Sequence, residues 1–234
     1  MATPLPWLDV HQLVFPDPEH ALKEPDGLLA IGGDLSSERL LLAYRQGIFP
    51  WYSEGEPILW WSPDPRWVIF PGRLHISRSL QKILSRQPFT FTSNQAFADV
   101  IKACSEPRAK QAGTWITPEM QQAYLQLHEQ GFAQSLECWQ GDQLVGGIYG
   151  VVLGRCFFGE SMFSRVSNAS KAVMVELDSR LQARNFVLLD CQVRSAHLLS
   201  MGAEEISRRE FLQYIREGLA GTKTDSLSRN PIPL

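Results

Sequence analysis

Three polar side chains stand in runs that otherwise read as apolar strands: Glu160 within 156–164, and Asp190 and Gln192 within 188–193. Side chains alternate along a strand, so Asp190 and Gln192 project to one face while Leu189, Cys191 and Val193 take the other. Two carboxylates and an amide then converge, and the chemistry open to such a group is proton handling and the orientation of a reactant. The plainer alternative is a set of buried carboxylates satisfied by backbone donors. Three separate interruptions weigh against it, because each buried charge needs its own compensation.

Other chemistries lack their residues. The histidines His11, His20, His75, His128 and His197 share no spacing, the cysteines Cys104, Cys138, Cys156 and Cys191 include no C-x-x-C pair, and no metal-ligand pattern is present. There is no G-x-S-x-G elbow, G-x-G-x-x-G or Walker loop. Cys191 is placed away from Asp190 and has no histidine beside it, which argues against a thiol nucleophile.

The elements around these strands are readable. Ser36 or Ser37 caps a short helix bearing Leu40, Leu41 and Tyr44, ended by Gly47. A proline-broken loop follows with Phe49, Trp51, Tyr52, Trp60, Trp61 and Trp67, which either pin a helix-poor region or offer a stacking surface to an unpaired base. Ser77 caps a helix that sets Arg78, Lys82 and Arg86 at i, i+4 and i+8 on one face, with no acidic residue between 66 and 86. Such a face is either solvated or the neighbour of a polyanion.

Helices are expected over 95–104, from Thr117-Pro118 to Gly131 with Met120, Ala123, Tyr124 and Leu127 inward, after a cap at Asn168, over 195–201, and after the capping box Ser207–Glu210. Strands over 132–139, 144–153 and 155–163 form an antiparallel meander, and 187–193 returns as a further strand. Gly146, Gly147 and Gly150 on the middle strand predict either a bulge or room for a ligand. The polar loop 105–113 carries Arg108 and Lys110, and 221–234 reads as a loose tail.

Gly159-Glu160-Ser161-Met162-Phe163-Ser164, Asp190-Cys191-Gln192, Gly32-Gly33-Asp34-Leu35, Gly47-Ile48-Phe49-Pro50-Trp51 and Trp60-Trp61-Ser62-Pro63-Asp64-Pro65-Arg66 together resemble the bacterial leucyl/phenylalanyl-tRNA–protein transferase family, over about 15–214. The resemblance implies transfer of Leu or Phe, with Met as a further donor, from aminoacyl-tRNA to the α-amine of proteins beginning with Arg or Lys, marking them for N-degron degradation. An aminoacyl ester is already activated, so no cofactor, ATP or metal is demanded. It implies Asp190 and Gln192 as holders of the amine, with Asp190 able to help take its proton, and Glu160 as a fixer of the acceptor or terminal ribose. The tRNA ribose hydroxyl is the alternative proton acceptor. It places Trp51 beside the terminal adenosine, with Trp115 on the same substrate side, and makes Arg78, Lys82 and Arg86 contacts for tRNA.

Candidates for the donor side-chain pocket are Ile148, Phe157, Phe158, Met174 and Leu177, each equally suited to plain core. The family often has methionine at the position of Ile148, so a stiffer branched residue there bears on donor preference.

The fold class expected is α+β: a small aromatic-rich N-terminal domain over 1–63 and a Gcn5-related N-acetyltransferase-like domain over 64–220, with a mostly antiparallel sheet flanked by helices. That analogy does not fix the reaction. The acetyltransferase pyrophosphate signature is missing between Phe163 and Asn168, which disfavours coenzyme A.

With 44% apolar and 20% charged residues and a net charge of −3, composition is that of an ordinary globular protein and announces no nucleic-acid binder. The widely spaced cysteines and the lack of a signal segment or of a run of about 20 apolar residues point to a cytoplasmic protein outside membranes, expected as a monomer. Two rivals keep other features: an RNA-binding module without catalysis, and a small-molecule N-acyltransferase.

Overall fold

The computed structural model describes residues 5–106 and 114–220. The tail over 221–234, and Arg108 and Lys110, lie outside the described residues. The chain is α+β, with seven α-helices and two mostly antiparallel sheets among the described residues.

The small sheet has the order β1-β2-β4-β3, from β1 (Trp7–Leu8), β2 (Leu28–Gly32), β3 (Phe49–Pro50) and β4 (Leu59–Trp61). Helix α1 (Ser37–Arg45) enters it with the Ser36 hydroxyl accepting from the Arg39 N–H. The aromatic segment expected as a loop carries Trp60 and Trp61 on β4 and Trp67 on β5 (Arg66–Ile69). Its prolines bound these strands rather than break them, since a two- to four-residue strand has room between them.

The seven-stranded sheet runs β11-β5-β10-β9-β8-β7-β6, with β6 (Thr90–Ser93), β7 (Ala133–Gln140), β8 (Gln143–Leu153), β9 (Cys156–Ser164), β10 (Leu188–Gln192) and β11 (Glu204–Ile206). The meander over β7, β8 and β9 is antiparallel, and β10 pairs parallel with β9. Helices α2 (Arg78–Leu84), α3 (Phe97–Ser105), α4 (Pro118–Glu129), α5 (Ala169–Ala183), α6 (Ala196–Ser200) and α7 (Arg208–Leu219) cover its faces. Thr117 caps α4 ahead of Pro118, and both bonds of the Ser207–Glu210 capping box are made.

Two expectations fail locally. Helix α2 stops at Leu84, so Arg86 sits in the following turn, where Gln87 takes a φ of 50°, and does not continue the helical face. Asn168 precedes α5 in a left-handed conformation without a capping bond from its side chain.

Alternation along the strands divides the core. One face carries Ile69, Leu136, Cys138, Ile148, Phe157, Leu189 and Cys191 against Val173, Met174 and Leu177 of α5. The other carries Val68, Tyr149, Phe158 and Leu188 in one cluster with Leu40 and Tyr44 of α1, Tyr124 of α4, Phe211 of α7 and Trp60 of the small sheet. Both sheets therefore close over a shared core.

At Gly150 the β8–β9 register shifts, and a Cβ there would lie 2.2 Å from the Phe158 carbonyl and 2.7 Å from the Phe157 ring. The bulge reading holds at this glycine, and protein fills its space.

Candidate functional site

The parallel pair β9–β10 stays in register only to Asp190↔Phe158. Beyond that point Gly159 to Ser164 on one strand, and Cys191 to Val193 on the other, line a cleft of about 750 Å³. Ile148, Met174 and Leu189 form an apolar wall, and Glu160, Gln192, Trp115 and His197 also line it.

Glu160 has no cation bonded to it among the described residues. Its Oε1 accepts the Tyr44 hydroxyl at 2.8 Å and Gln192 Nε2 at 3.2 Å, and its Oε2 accepts the Tyr124 hydroxyl at 2.7 Å. The two hydroxyls lie 2.5 Å apart. Glu160 is half-buried, lining the cleft on one side and packed by protein on the other. That desolvation, aided by the Asp190 charge and opposed by the tyrosine hydroxyls and Arg66, pushes its carboxyl up to about 7. Burial, and the charge of Glu160, raise Tyr44 and Tyr124 well above the ordinary phenol value, so both remain donors at neutral pH.

Asp190 is held differently. It is fully buried, and its carboxylate accepts Arg66 Nε at 2.8 Å on Oδ1 and Arg66 Nη2 at 2.7 Å on Oδ2. Oδ1 also accepts the backbone N–H of Gln192 at 2.9 Å. The Arg66 guanidinium, equally buried, lies between the Phe49 ring at 4.7 Å and the Phe211 ring at 4.4 Å and donates to the Gly47 carbonyl at 3.2 Å. A register shift between Asp190 and Gln192, with Gln192 at a φ of 57°, delivers the glutamine amide to Glu160. A left-handed glutamine is uncommon, and here it is fixed by the bond from its own N–H to Asp190.

The other expected residues divide. Trp115, Ile148 and Met174 line the cleft, whereas Phe157, Phe158 and Leu177 are buried core outside its walls. Trp51 is 44% exposed and also stands outside those walls, tilted against Trp61, whose Nε1 donates to the Trp51 carbonyl. Arg78, Lys82 and Arg86 are exposed and have no carboxylate within 4.0 Å among the described residues. Burial drives the Cys191 thiol far above its ordinary value, against use as a nucleophile.

Tyr44, Tyr124 and Arg66 were not singled out from the sequence. The available signal was chemical: a tyrosine at a fully buried position needs a partner for its hydroxyl, and Tyr44 and Tyr124 both sit on apolar helix faces.

A family model described as leucyl/phenylalanyl-tRNA protein transferase matches residues 68–216, and that of the family's N-terminal domain matches residues 33–64. A leucyl/phenylalanyl-tRNA–protein transferase of Pseudomonas fluorescens (strain SBW25) is 57% identical over 215 residues, covering 92% of this chain and 95% of that protein. Among solved structures, L-PGS from Bacillus licheniformis aligns over 72% of this chain and 54% of its own at 11% identity and a TM-score of 0.41. An aminoglycoside acetyltransferase from an uncultured soil metagenomic sample aligns over 62% of this chain and 95% of its own, at 10% identity and a TM-score of 0.34.

Proposed function

The chain belongs to the leucyl/phenylalanyl-tRNA protein transferase family, and we propose that it joins Leu or Phe from its tRNA to the α-amine of proteins beginning with Arg or Lys. The observation that carries this reading is the placement in one cleft of an apolar wall, Ile148 and Met174, and a carboxylate–amide pair, Glu160 and Gln192, 3.2 Å apart. The wall suits an apolar aminoacyl side chain. The uncompensated carboxylate suits a cationic acceptor terminus. As the amine nitrogen bonds to the ester carbonyl carbon, the bond to the ribose oxygen breaks, and the protein's task is to align the two reactants and to place one proton.

Gln192 bridges the two halves of the site. Its amide donates to Glu160, while its backbone N–H is anchored on Asp190. Asp190, at the cleft wall but with its carboxylate committed to Arg66 and to the Gln192 N–H, acts through Gln192 as a positioning residue. Trp51 and Trp115 offer ring faces to the terminal adenosine, and Arg78, Lys82 and Arg86 meet tRNA phosphates. The modified proteins enter degradation by their new N-terminus, in the cytoplasm, with the enzyme acting as a monomer whose small N-terminal part ends near residue 63.

The test is transfer of labelled leucine from Leu-tRNA to a peptide beginning with arginine, against one beginning with glutamate. Transfer to the arginine peptide is expected, and Asp190→Ala in folded protein should lower it by about 100-fold, the cost of a misplaced reactant. Wild-type protein that binds Leu-tRNA yet forms no peptide bond would leave only an RNA-binding module. Thermal stabilisation by coenzyme A would favour the small-molecule acyltransferase instead.

The basic residues have their own readout. Replacing Arg78, Lys82 and Arg86 by alanine should weaken tRNA binding and reduce the slope of log affinity against log salt by about 2, at roughly 0.7 per lost phosphate contact. An unchanged slope would remove these residues from the tRNA interface.

A further inference from the structure

We propose that Glu160, through its less occupied oxygen Oε2, takes the proton from the attacking α-amine, and that Tyr44 and Tyr124 close a hydrogen-bonded ring around the carboxyl once the proton is on it. This rests on the transferase reading above.

The first ground is which carboxylate is free to act. Asp190 is fully buried and its oxygens already accept three N–H donors. Protonating it would oppose a bidentate ion pair. Both residues line the cleft, but Glu160 is only half-buried and its Oε2 accepts a single bond, from Tyr124.

The second ground is a count of protons. Tyr44, Tyr124 and Glu160 form a triangle with contacts of 2.5, 2.8 and 2.7 Å. An ionised carboxylate leaves two hydroxyl protons for three short oxygen–oxygen contacts, so one of the three has no proton in it. One further proton on Oε2 completes the cycle: Oε2 donates to Tyr124, Tyr124 to Tyr44, and Tyr44 to Oε1. Gln192 Nε2 adds a fourth bond to Oε1. The ring thus keeps these oxygens hydrogen-bonded in both protonation states, so the proton can arrive and leave without the partners moving apart.

The balance is simple. The amine loses a proton to Oε2 as its nitrogen bonds to the acyl carbon, the carbon–oxygen ester bond breaks, and the same proton passes to the departing ribose oxygen. A carboxyl near neutrality is suited to both transfers. The charged and titratable groups around it are Tyr44 from α1, Tyr124 from α4, Tyr149 from β8, Asp190 from β10 and Arg66 from β5. Cys104, Glu106, Arg165, Cys191 and His197 line the same cleft.

Single-turnover peptide-bond formation, measured with preformed Leu-tRNA and an arginine-terminated peptide across about pH 5.5–9, tests this. The wild-type rate should climb through a limb near neutrality. Glu160→Gln keeps an amide in place but cannot take a proton, and should lose about 10²- to 10⁴-fold in rate at saturating acceptor. Tyr44→Phe and Tyr124→Phe each remove a bond that favours the ionised carboxylate, so the limb should move to higher pH. A limb set by the peptide's own α-amine would not move.

Glu160→Gln within about threefold of wild type, or a limb fixed in both tyrosine variants, would overturn the proposal while leaving the transferase reading intact. A wild type that forms no peptide bond at any pH would overturn both. Should Glu160→Gln fail to fold, the two tyrosine variants decide alone.

Discussion

Arg66→Met is expected to lower folding stability by about 3–5 kcal/mol, the cost of leaving one member of a buried ion pair uncompensated. Asp190 would be left fully buried, without the two guanidinium bonds it now accepts. Methionine fills similar space between Phe49 and Phe211, so packing loss is minor beside the charge. Joining Arg66→Met to Asp190→Leu should recover most of that stability, since an apolar pair of similar volume often equals or exceeds a buried ion pair.

Activity should part from stability in that double variant. The Gln192 N–H would have lost its anchor, and with it the reason for a left-handed residue at 192. Urea unfolding together with single-turnover transfer makes the comparison. A stable double variant that transfers leucine at the wild-type rate would show that the pair serves folding alone, and a single variant within about 1 kcal/mol of wild type would show that the pair is not energetically significant.

The second large effect is a dependence of stability on pH that runs against the common carboxylate pattern. Glu160 has a folded-state value raised to about 7 from 4.5. Below its unfolded value both states hold the proton and the group contributes nothing. Between the two values the folded state keeps a proton that the unfolded state has released, so stability falls as pH rises, and the loss levels off above the folded value. Its full size is about 3 kcal/mol.

Glu160→Gln removes that loss, and is expected to be more stable than wild type by about that amount at pH 8 and nearly equal to it near pH 4.5. Other titrating groups cancel in the difference between the two proteins. Denaturant unfolding at both pH values checks it, and a difference that does not change with pH would contradict the raised value. The residue proposed to move the proton is then one the folded protein holds at a cost to its own stability.

The site was legible in the sequence where polarity contradicted its surroundings. Glu160, Asp190 and Gln192 stand out because a carboxylate or amide in an apolar strand calls for an explanation. Alternation placed Asp190 and Gln192 on the correct face but could not show the bulge between them, which arises from a bond made by Gln192's own backbone. Arg66 was hidden in a proline-rich run, since its partner lies 124 residues away. Ile148 and Met174 line the cleft while Phe157, Phe158 and Leu177 do not, and composition treats all five alike. Which apolar side chain meets a cavity depends on where two strands separate. Most helix caps fared better because they are local: Ser36, Ser77, Thr117 and Ser207 each accept a bond from three residues onward.

The cradle of Arg66 also bears on the order of synthesis. Its walls are Phe49, the Gly47 carbonyl and Phe211, drawn from near the start and near the end of the chain. A chain growing from its N-terminus can have made Tyr44, Tyr124, Glu160 and even Asp190 before the last helix exists. Until Phe211 arrives, one side of the guanidinium has no ring against it. Helix α7 thus completes the surroundings of the ion pair on which Gln192 is anchored.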